Sequence, residues 1–498
     1  MYYFVSENIF TFNSGTEHSQ ARRTKLFNKM GRKAVYVSRN YNRYLERDRQ
    51  SVDLPADQSL NMYDYFQGTV NVPRQEQNLR LLPELPLDEY HIHAHGPNYS
   101  TLDQAGKKLA KITVQPATVG LVNEIVTNDQ YGNQTTRENW DWRGFLSSVD
   151  YFHPDGSLGV RRYLDLKGNT VIEQVWMNVN GKLQPTLWKL LDYHDQMFRF
   201  NTEDQLYLFF LNELIHDDDD AKIISDRRTL DYVVADVQGA KQKWPAFHGL
   251  HTERTHNVAS APLLPVYQDV LTKFPDAFDG VLVATPQQQQ DLQSRYPQVN
   301  VLVAPDTVID DIHPHQPQTA QVVLYVGRLS AEKRPEEALK VFAEVKRQLP
   351  DAKMIMAGYA SGPDYLEQLK HQANNLGIDG SVDFAGYQTQ QQLHELYAHA
   401  SVILQTSEAE SFGMNLVEAM GYGVPVVTYD IQYGTPYLVL DDQNGYVVPD
   451  GLDQAMATKV IKLLTDDTDW QSKSQAAQAK AVGYTPDKTF AKWKQLGF

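Results

Sequence analysis

Between residues 322 and 430 short apolar runs recur: VVLYVG, KMIMAG, VDFAG, SVILQT and PVVTYD, each followed by a stretch of helical periodicity. Runs this short and this uniformly apolar predict strands buried on both faces, and the intervening helices predict a parallel sheet covered on both sides. The chain opens with a unit of the same kind: strand YYFVSENIFTF, turn NSGTEHS, helix QARRTKLFNKMG and strand KAVYVSR. There Asn13 and Ser14 are candidate turn or cap residues, and Gly15 lets the backbone bend where the helix begins. The α/β texture returns after a helical stretch, DQLYLFFLNELIHDDDD, with strands KIISD, KWPAFH, GVLVAT and NVLVAP.

Between these blocks, from about 100 to 190, the period changes to two. Apolar and polar residues alternate and are broken at Asp155-Gly156, Gly168-Asn169 and Asn180-Gly181. Such dipeptides suit two-residue hairpin turns, so this region reads as an antiparallel meander inserted into the first unit. DDIHPHQPQTAQ, rich in Pro, Gln and His, reads as a linker. The expected division is therefore a first Rossmann-like domain over 1–95 and 192–312, a meander over 96–191 and a second Rossmann-like domain over 313–480. A terminal amphipathic helix, 481–498, is expected to pack back on the first domain. Two α/β halves facing each other form a natural nucleotide site, because loops at the carboxyl ends of parallel strands converge there.

Composition narrows the function classes. With 498 residues, 42% of them hydrophobic, the chain is too long for one core. There is no cysteine, which removes disulfides, cysteine nucleophiles and thiolate metal sites and suits a reducing compartment. The net charge of −16 argues against general nucleic-acid binding, although a local basic groove on an acidic body can still take a polyanion. MYYFVSENIF lacks the pattern of a signal peptide, and no run approaches the roughly 18 apolar residues of a membrane span. A cytoplasmic protein is expected, with at most peripheral proximity to the inner face of the membrane.

Two segments carry candidate chemistry. In Glu410-SFGMNLV-Glu418, a strand (SVILQT) precedes the first carboxylate and a glycine turn follows the second. A helix starting near Gly413 would carry Glu418 while Glu410 stays on the loop. Amides at that helix start can receive a diphosphate, one carboxylate can hold ribose hydroxyls and the other sugar hydroxyls. In VVLYVG-Arg328-LSAE-Lys333-RP, a strand ends in glycine and two cations follow on the loop. An Arg fork and a Lys point charge there could neutralise a leaving diphosphate.

Together these features resemble the GT-B glycosyltransferases of the retaining E-x7-E type, and the chain as a whole is similar to the wall teichoic acid α-glycosyltransferases of Gram-positive bacteria. The resemblance rests on NSGTEHS, the HPDG…LKGN…VNGK meander, FHGLH, GRLSAEKRP, the E-x7-E segment, and DIQYGTP followed by DDQNGYVVP. It implies a GT-B fold and retaining, metal-independent transfer of glucose or N-acetylglucosamine from a UDP-sugar to hydroxyls of a poly(glycerol- or ribitol-phosphate) chain. No cofactor is implied. Arg328 and Lys333 would bind the diphosphate, Glu418 the ribose and Glu410 the sugar. Gly15 would lie beside donor and acceptor, and Tyr387, Ser411, Phe412, Gly413, Met414 and Asn415 would complete the donor site. His248 and His251 both fit the spacing of a histidine that faces the sugar. A homotrimer built through the meander is also implied. The family's glycine-rich turn after the second strand is altered here to AGYASGP, which leaves the role of Gly358 open.

Three other patterns are set aside. His91, His93 and His95 alternate as some metal sites do, but no carboxylate partner is visible nearby. Asp217 to Asp220 follow a helix and read as its solvated terminus. Gln287 to Gln290 read as a helix surface. Among rival functions, a protein O-glycosyltransferase acting on serine-rich adhesins shares the fold and the insertion. A non-catalytic sugar-nucleotide scaffold would be expected to lose one of the four charged residues, all of which are present. A phosphorylase would need a pyridoxal-binding lysine context that is not identifiable.

Overall fold

The structure is a computed structural model describing residues 1–78, 82, 90–253, 261–313 and 321–498. Most of the expected linker, 314–320, lies outside the described residues. In the first half, Tyr2–Ser6 is the central strand of a parallel sheet. Ala34–Ser38 and Ser59–Asn61 flank it on one side, Lys222–Ser225 and Gln242–Pro245 on the other. A bridge between Ala246 and Leu282 continues this sheet toward the parallel pair Val281–Val283 and Val301–Val303.

The second half is a six-stranded parallel sheet in the spatial order Val382–Gly386, Lys353–Ala357, Val322–Val326, Val402–Gln405, Val426–Tyr429, Gly445–Val448. The apolar runs behave as their pattern dictates. Val323, Tyr325, Val402 and Leu404 enter one helix-covered core, while Leu324, Ile403 and Val426 enter the core on the opposite face.

The meander is larger than the 96–191 read from the hairpin dipeptides. It is a ten-stranded antiparallel sheet running from His91–His95 to Gln196–Phe200 in simple sequential order. The reason is the ladder: Tyr99–Gln104 pairs with His91–His95 at one edge, and Lys182–Tyr193 pairs with Gln196–Phe200 at the other. These outer strands lie beyond the glycine-marked turns and so escape a reading based on them. His91, His93 and His95 lie on this edge strand and are exposed. Tyr163, Ile172, Trp188 and Leu190 of the meander are buried in the same core as Tyr3 and Val35, which fastens the sheet to the first half.

Two of the set-aside patterns have structural roles. Asp218 accepts from Tyr3 (3.0 Å) and pairs with the terminal amine (2.9 Å), so it is more than a solvated helix end. Gln288 is fully buried within the helix Pro286–Arg295, and its amide donates to the Gly249 carbonyl at 2.9 Å. The glutamine run is therefore in part an internal support, because one face of that helix packs under the segment following His248. The helix Pro486–Gln495 returns to the first half, where Trp493 and Phe490 each lie 5.5 Å from the Phe27 ring.

Candidate functional site

The carboxyl ends of the two parallel sheets face one another across a cleft of about 290 Å³. Two helix starts meet there. The helix Gly15–Lys29 comes from the first half and Met414–Gly421 from the second, and a Cβ on Gly15 would stand 3.8 Å from the Met414 sulfur. Amides unpaired at both helix starts thus point into one space, with the positive ends of both dipoles. Ser14 caps the first helix: its backbone N–H and its hydroxyl donate to Glu17 Oε2 at 2.9 and 2.7 Å.

Gly15, Arg328, Lys333, Tyr387, Glu410, Ser411, Gly413, Met414, Asn415, Glu418 and His248 all line this cleft. Glu410 is held at Oε1 by the Lys333 ammonium, by the Gln405 amide (2.6 Å) and by the Ser407 hydroxyl (2.9 Å). Arg328, beside it, is more exposed and pairs with Glu332 at 2.5 Å. Glu418 lies about one turn into the helix Met414–Gly421, bonded to Arg22 (2.5 Å) and to the Tyr397 hydroxyl (2.9 Å). Asn415 donates to the Val326 carbonyl at 2.9 Å, tying the helix start to the end of the strand that leads to Arg328.

The loop carrying Glu410 is clamped by the YGTP segment. The Glu410 N–H donates to the Gln432 carbonyl (3.0 Å), and the Gly434 N–H to the Glu410 carbonyl (2.8 Å). A Cβ on Gly434 would fall 1.8 Å from the Phe412 carbonyl oxygen, so only glycine permits this approach. Gly358 acts similarly, with a Cβ position 1.8 Å from the Gly327 carbonyl oxygen. It lets two strand ends meet beneath the cleft, which gives the altered turn a packing role.

The structure separates the two histidines. His248 lines the cleft, with Nε2 2.7 Å from Asp226 and Nδ1 3.0 Å from Asp306. Burial alone would lower its pKa, but the two carboxylates outweigh it and raise the pKa to about 9, so the ring is an imidazolium at neutral pH. Asp226 is itself kept below the usual carboxylate range; Arg23 and His248 outweigh its burial. His251, only 1% exposed, lies outside the cleft with its ring parallel to Tyr433 at 5.9 Å. Burial lowers its pKa to about 4, so it stays neutral. Phe412 likewise does not line the cleft. Its side chain sits in the core against Tyr484 (5.6 Å), so it anchors the loop rather than touching the cleft.

Several cleft residues were not identified from the sequence. Asp306, in the cleft, directly follows the run NVLVAP, and Asp226, buried behind His248, ends the run KIISD; that strand-end position was the available signal. His18 bonds Tyr387 at 3.2 Å and is kept neutral by burial and Arg22, with a pKa lowered to about 4. Phe12, 52% exposed, stacks on Tyr359 (5.6 Å) and lies 5.2 Å from Tyr387, so aromatic rings from both halves meet at the rim. Ser411 donates to the His248 carbonyl at 2.9 Å, a further link between the halves.

The arrangement provides helix-start amides, three cations (Arg22, Arg328 and Lys333), two carboxylates at different depths and an imidazolium facing them. That set can grip a diphosphate flanked by two hydroxyl-bearing rings. Residues 309–481 match the family of glycosyl transferases group 1. The whole chain is similar to the UDP-N-acetylglucosamine–peptide N-acetylglucosaminyltransferase GtfA subunit of Streptococcus gordonii, 23% identical over 99% of this chain and 97% of that protein. It is also similar to the poly(glycerol-phosphate) alpha-glucosyltransferase of Bacillus subtilis, 24% identical over 72% of this chain and 53% of that one. Among solved structures, an S. aureus TarM variant in complex with Fondaparinux, alpha-GlcNAc-glycerol and UDP superposes with a TM-score of 0.83, at 19% identity over 99% of both chains. The chain thus carries a group 1 glycosyl transferase domain over 309–481 within a GT-B fold of two Rossmann-like halves and an antiparallel insertion.

Proposed function

We propose that this protein is a retaining glycosyltransferase that moves glucose or N-acetylglucosamine from a UDP-sugar to hydroxyls of a poly(glycerol- or ribitol-phosphate) wall teichoic acid. The observation that carries the donor half is the convergence, in one cleft, of the Lys333–Glu410 pair, Glu418 and two facing helix starts. Lys333, Arg328 and the helix-start amides would stabilise the departing diphosphate, Glu410 the sugar hydroxyls and Glu418 the ribose. The His248 imidazolium, oriented by Asp226 and Asp306, would face the sugar from the first half. It is protonated at neutral pH, so its role is electrostatic or hydrogen-bonding rather than that of a base.

The acceptor assignment is supported by the similarity to poly(alditol phosphate) transferases and to TarM. The competing acceptor, a serine-rich protein, is favoured by the similarity to a GtfA subunit over nearly the full length of both chains. Release of UDP from UDP-glucose and UDP-N-acetylglucosamine, measured with purified teichoic acid or with a Ser/Thr-rich peptide, tests both halves. Turnover with the polymer supports the reading; turnover with peptide alone overturns it in favour of the second. Metal independence, a cytoplasmic location and a trimer formed through the meander belong to the same proposal. Unchanged turnover in EDTA and a trimeric mass in solution are the expected results. No helix among the described residues is long and apolar enough to cross a membrane.

A further inference from the structure

Arg22 lies inside the helix Gly15–Lys29 of the first half, yet its guanidinium bonds mainly to the second. Nη1 donates to Glu418 Oε1 at 2.5 Å and to Thr307 at 3.0 Å, and Nη2 donates to Gln390 Oε1 at 2.8 Å. The other Glu418 oxygen accepts from the Tyr397 hydroxyl at 2.9 Å. Both charged side chains are largely buried, Arg22 at 12% and Glu418 at 10% exposure, and both line the cleft.

A carboxylate so far out of water needs a partner that replaces its lost hydration and holds it in place. Tyr397 is the donor that its own half supplies to Glu418, and it is neutral. The cation comes from across the cleft. With one oxygen held by Arg22 and the other by Tyr397, the carboxylate is fixed in rotation and its remaining lone pairs are set in place. Vicinal hydroxyls of a ribose need two acceptors at fixed separation, so such fixation is worth most to a diol.

We infer that Arg22 is a donor-positioning residue: it orients Glu418 from the opposite half, so the ribose diol is gripped fully only when both halves contribute. This rests on the reading of the cleft as a UDP-sugar site. A plain strut between the halves would instead affect all ligands of the cleft alike.

The test is calorimetric titration of the full chain with UDP and with 2′,3′-dideoxy-UDP. Arg22→Gln should weaken UDP by about tenfold or more while changing dideoxy-UDP by less than about threefold. Arg22→Lys, which keeps the charge but loses the fork, should fall between wild type and Arg22→Gln, and it carries the test if Arg22→Gln does not fold. In a Glu418→Gln background, Arg22→Gln should add less than about threefold. Equal loss of UDP and dideoxy-UDP, or UDP binding by Arg22→Gln within about threefold of wild type, overturns the inference. Failure of the wild-type protein to bind UDP at all overturns the donor-site reading itself, and the inference with it.

Discussion

The two glutamates of the cleft are held in different ways. Glu410 is fixed by residues of its own half: Lys333, Gln405 and Ser407 bond its carboxylate, and the segment around Gly434 clamps its backbone. Glu418 shares its bonds between Tyr397 of its own half and Arg22 of the other. The Glu410 carboxylate is therefore set entirely within one half, whereas the Glu418 carboxylate is set only when the halves meet. A second asymmetry runs alongside. The second half supplies Arg328, Lys333 and both glutamates, and the first half supplies Arg22 and a charged histidine between two aspartates.

The largest effect that would break this comparison is at Glu410. Glu410→Gln should lower sugar transfer by about 10²-fold or more with UDP affinity little changed, measured by steady-state kinetics and UDP titration. If Glu410→Gln instead raised only the donor KM, the two carboxylates would be doing the same work. Next is Gly434→Ala, whose Cβ would press on the Phe412 carbonyl. It should cost about 2–4 kcal/mol in thermal unfolding and displace Glu410, lowering turnover as well.

His248 tests the first half through pH. Its folded pKa, about 9, is raised above the unfolded value, so the stability it contributes is fully present below about pH 6.5 and is lost as pH rises through 9. That contribution is on the order of 3 kcal/mol, and Asp306→Asn should remove much of it, flattening the alkaline side of a Tm-against-pH curve. His251 and His18, both lowered to about 4, act in the opposite sense: stability should fall as pH drops from about 6.5 toward 4. The smallest effect is expected at the rim. Phe12→Ala removes one ring of an aromatic cluster shared by both halves and should raise the donor KM severalfold, about 1 kcal/mol, with kcat nearly unchanged.

The second half was legible almost strand by strand because its signal is local. Each apolar run is a strand, largely buried except for VDFAG at the sheet edge, and the residues that carry chemistry lie on the loops after strand ends, as Arg328 and Glu410 do. The meander was legible at its turns, where all three glycine dipeptides mark hairpins, although only Asn180-Gly181 is a two-residue turn and the others lie in the five-residue loops 153–157 and 165–169. It was not legible at its edges. The strands His91–His95 and Gln196–Phe200 are defined by what they pair with.

What the sequence determined by itself is the period of each region, and with it two parallel sheets, an antiparallel insertion and the strand-end placement of Glu410, Glu418, Arg328 and Lys333. The tertiary structure alone placed His248 in the cleft and His251 outside it, put Phe412 in the core and brought Arg22 to Glu418 across 396 positions of chain. The physical reason is range. Periodicity and turn chemistry act over a few residues, and hydrogen bonding within a strand or helix follows from them. The partner of a buried charge is set by which surfaces the hydrophobic cores press together, and no local pattern in the chain encodes that meeting.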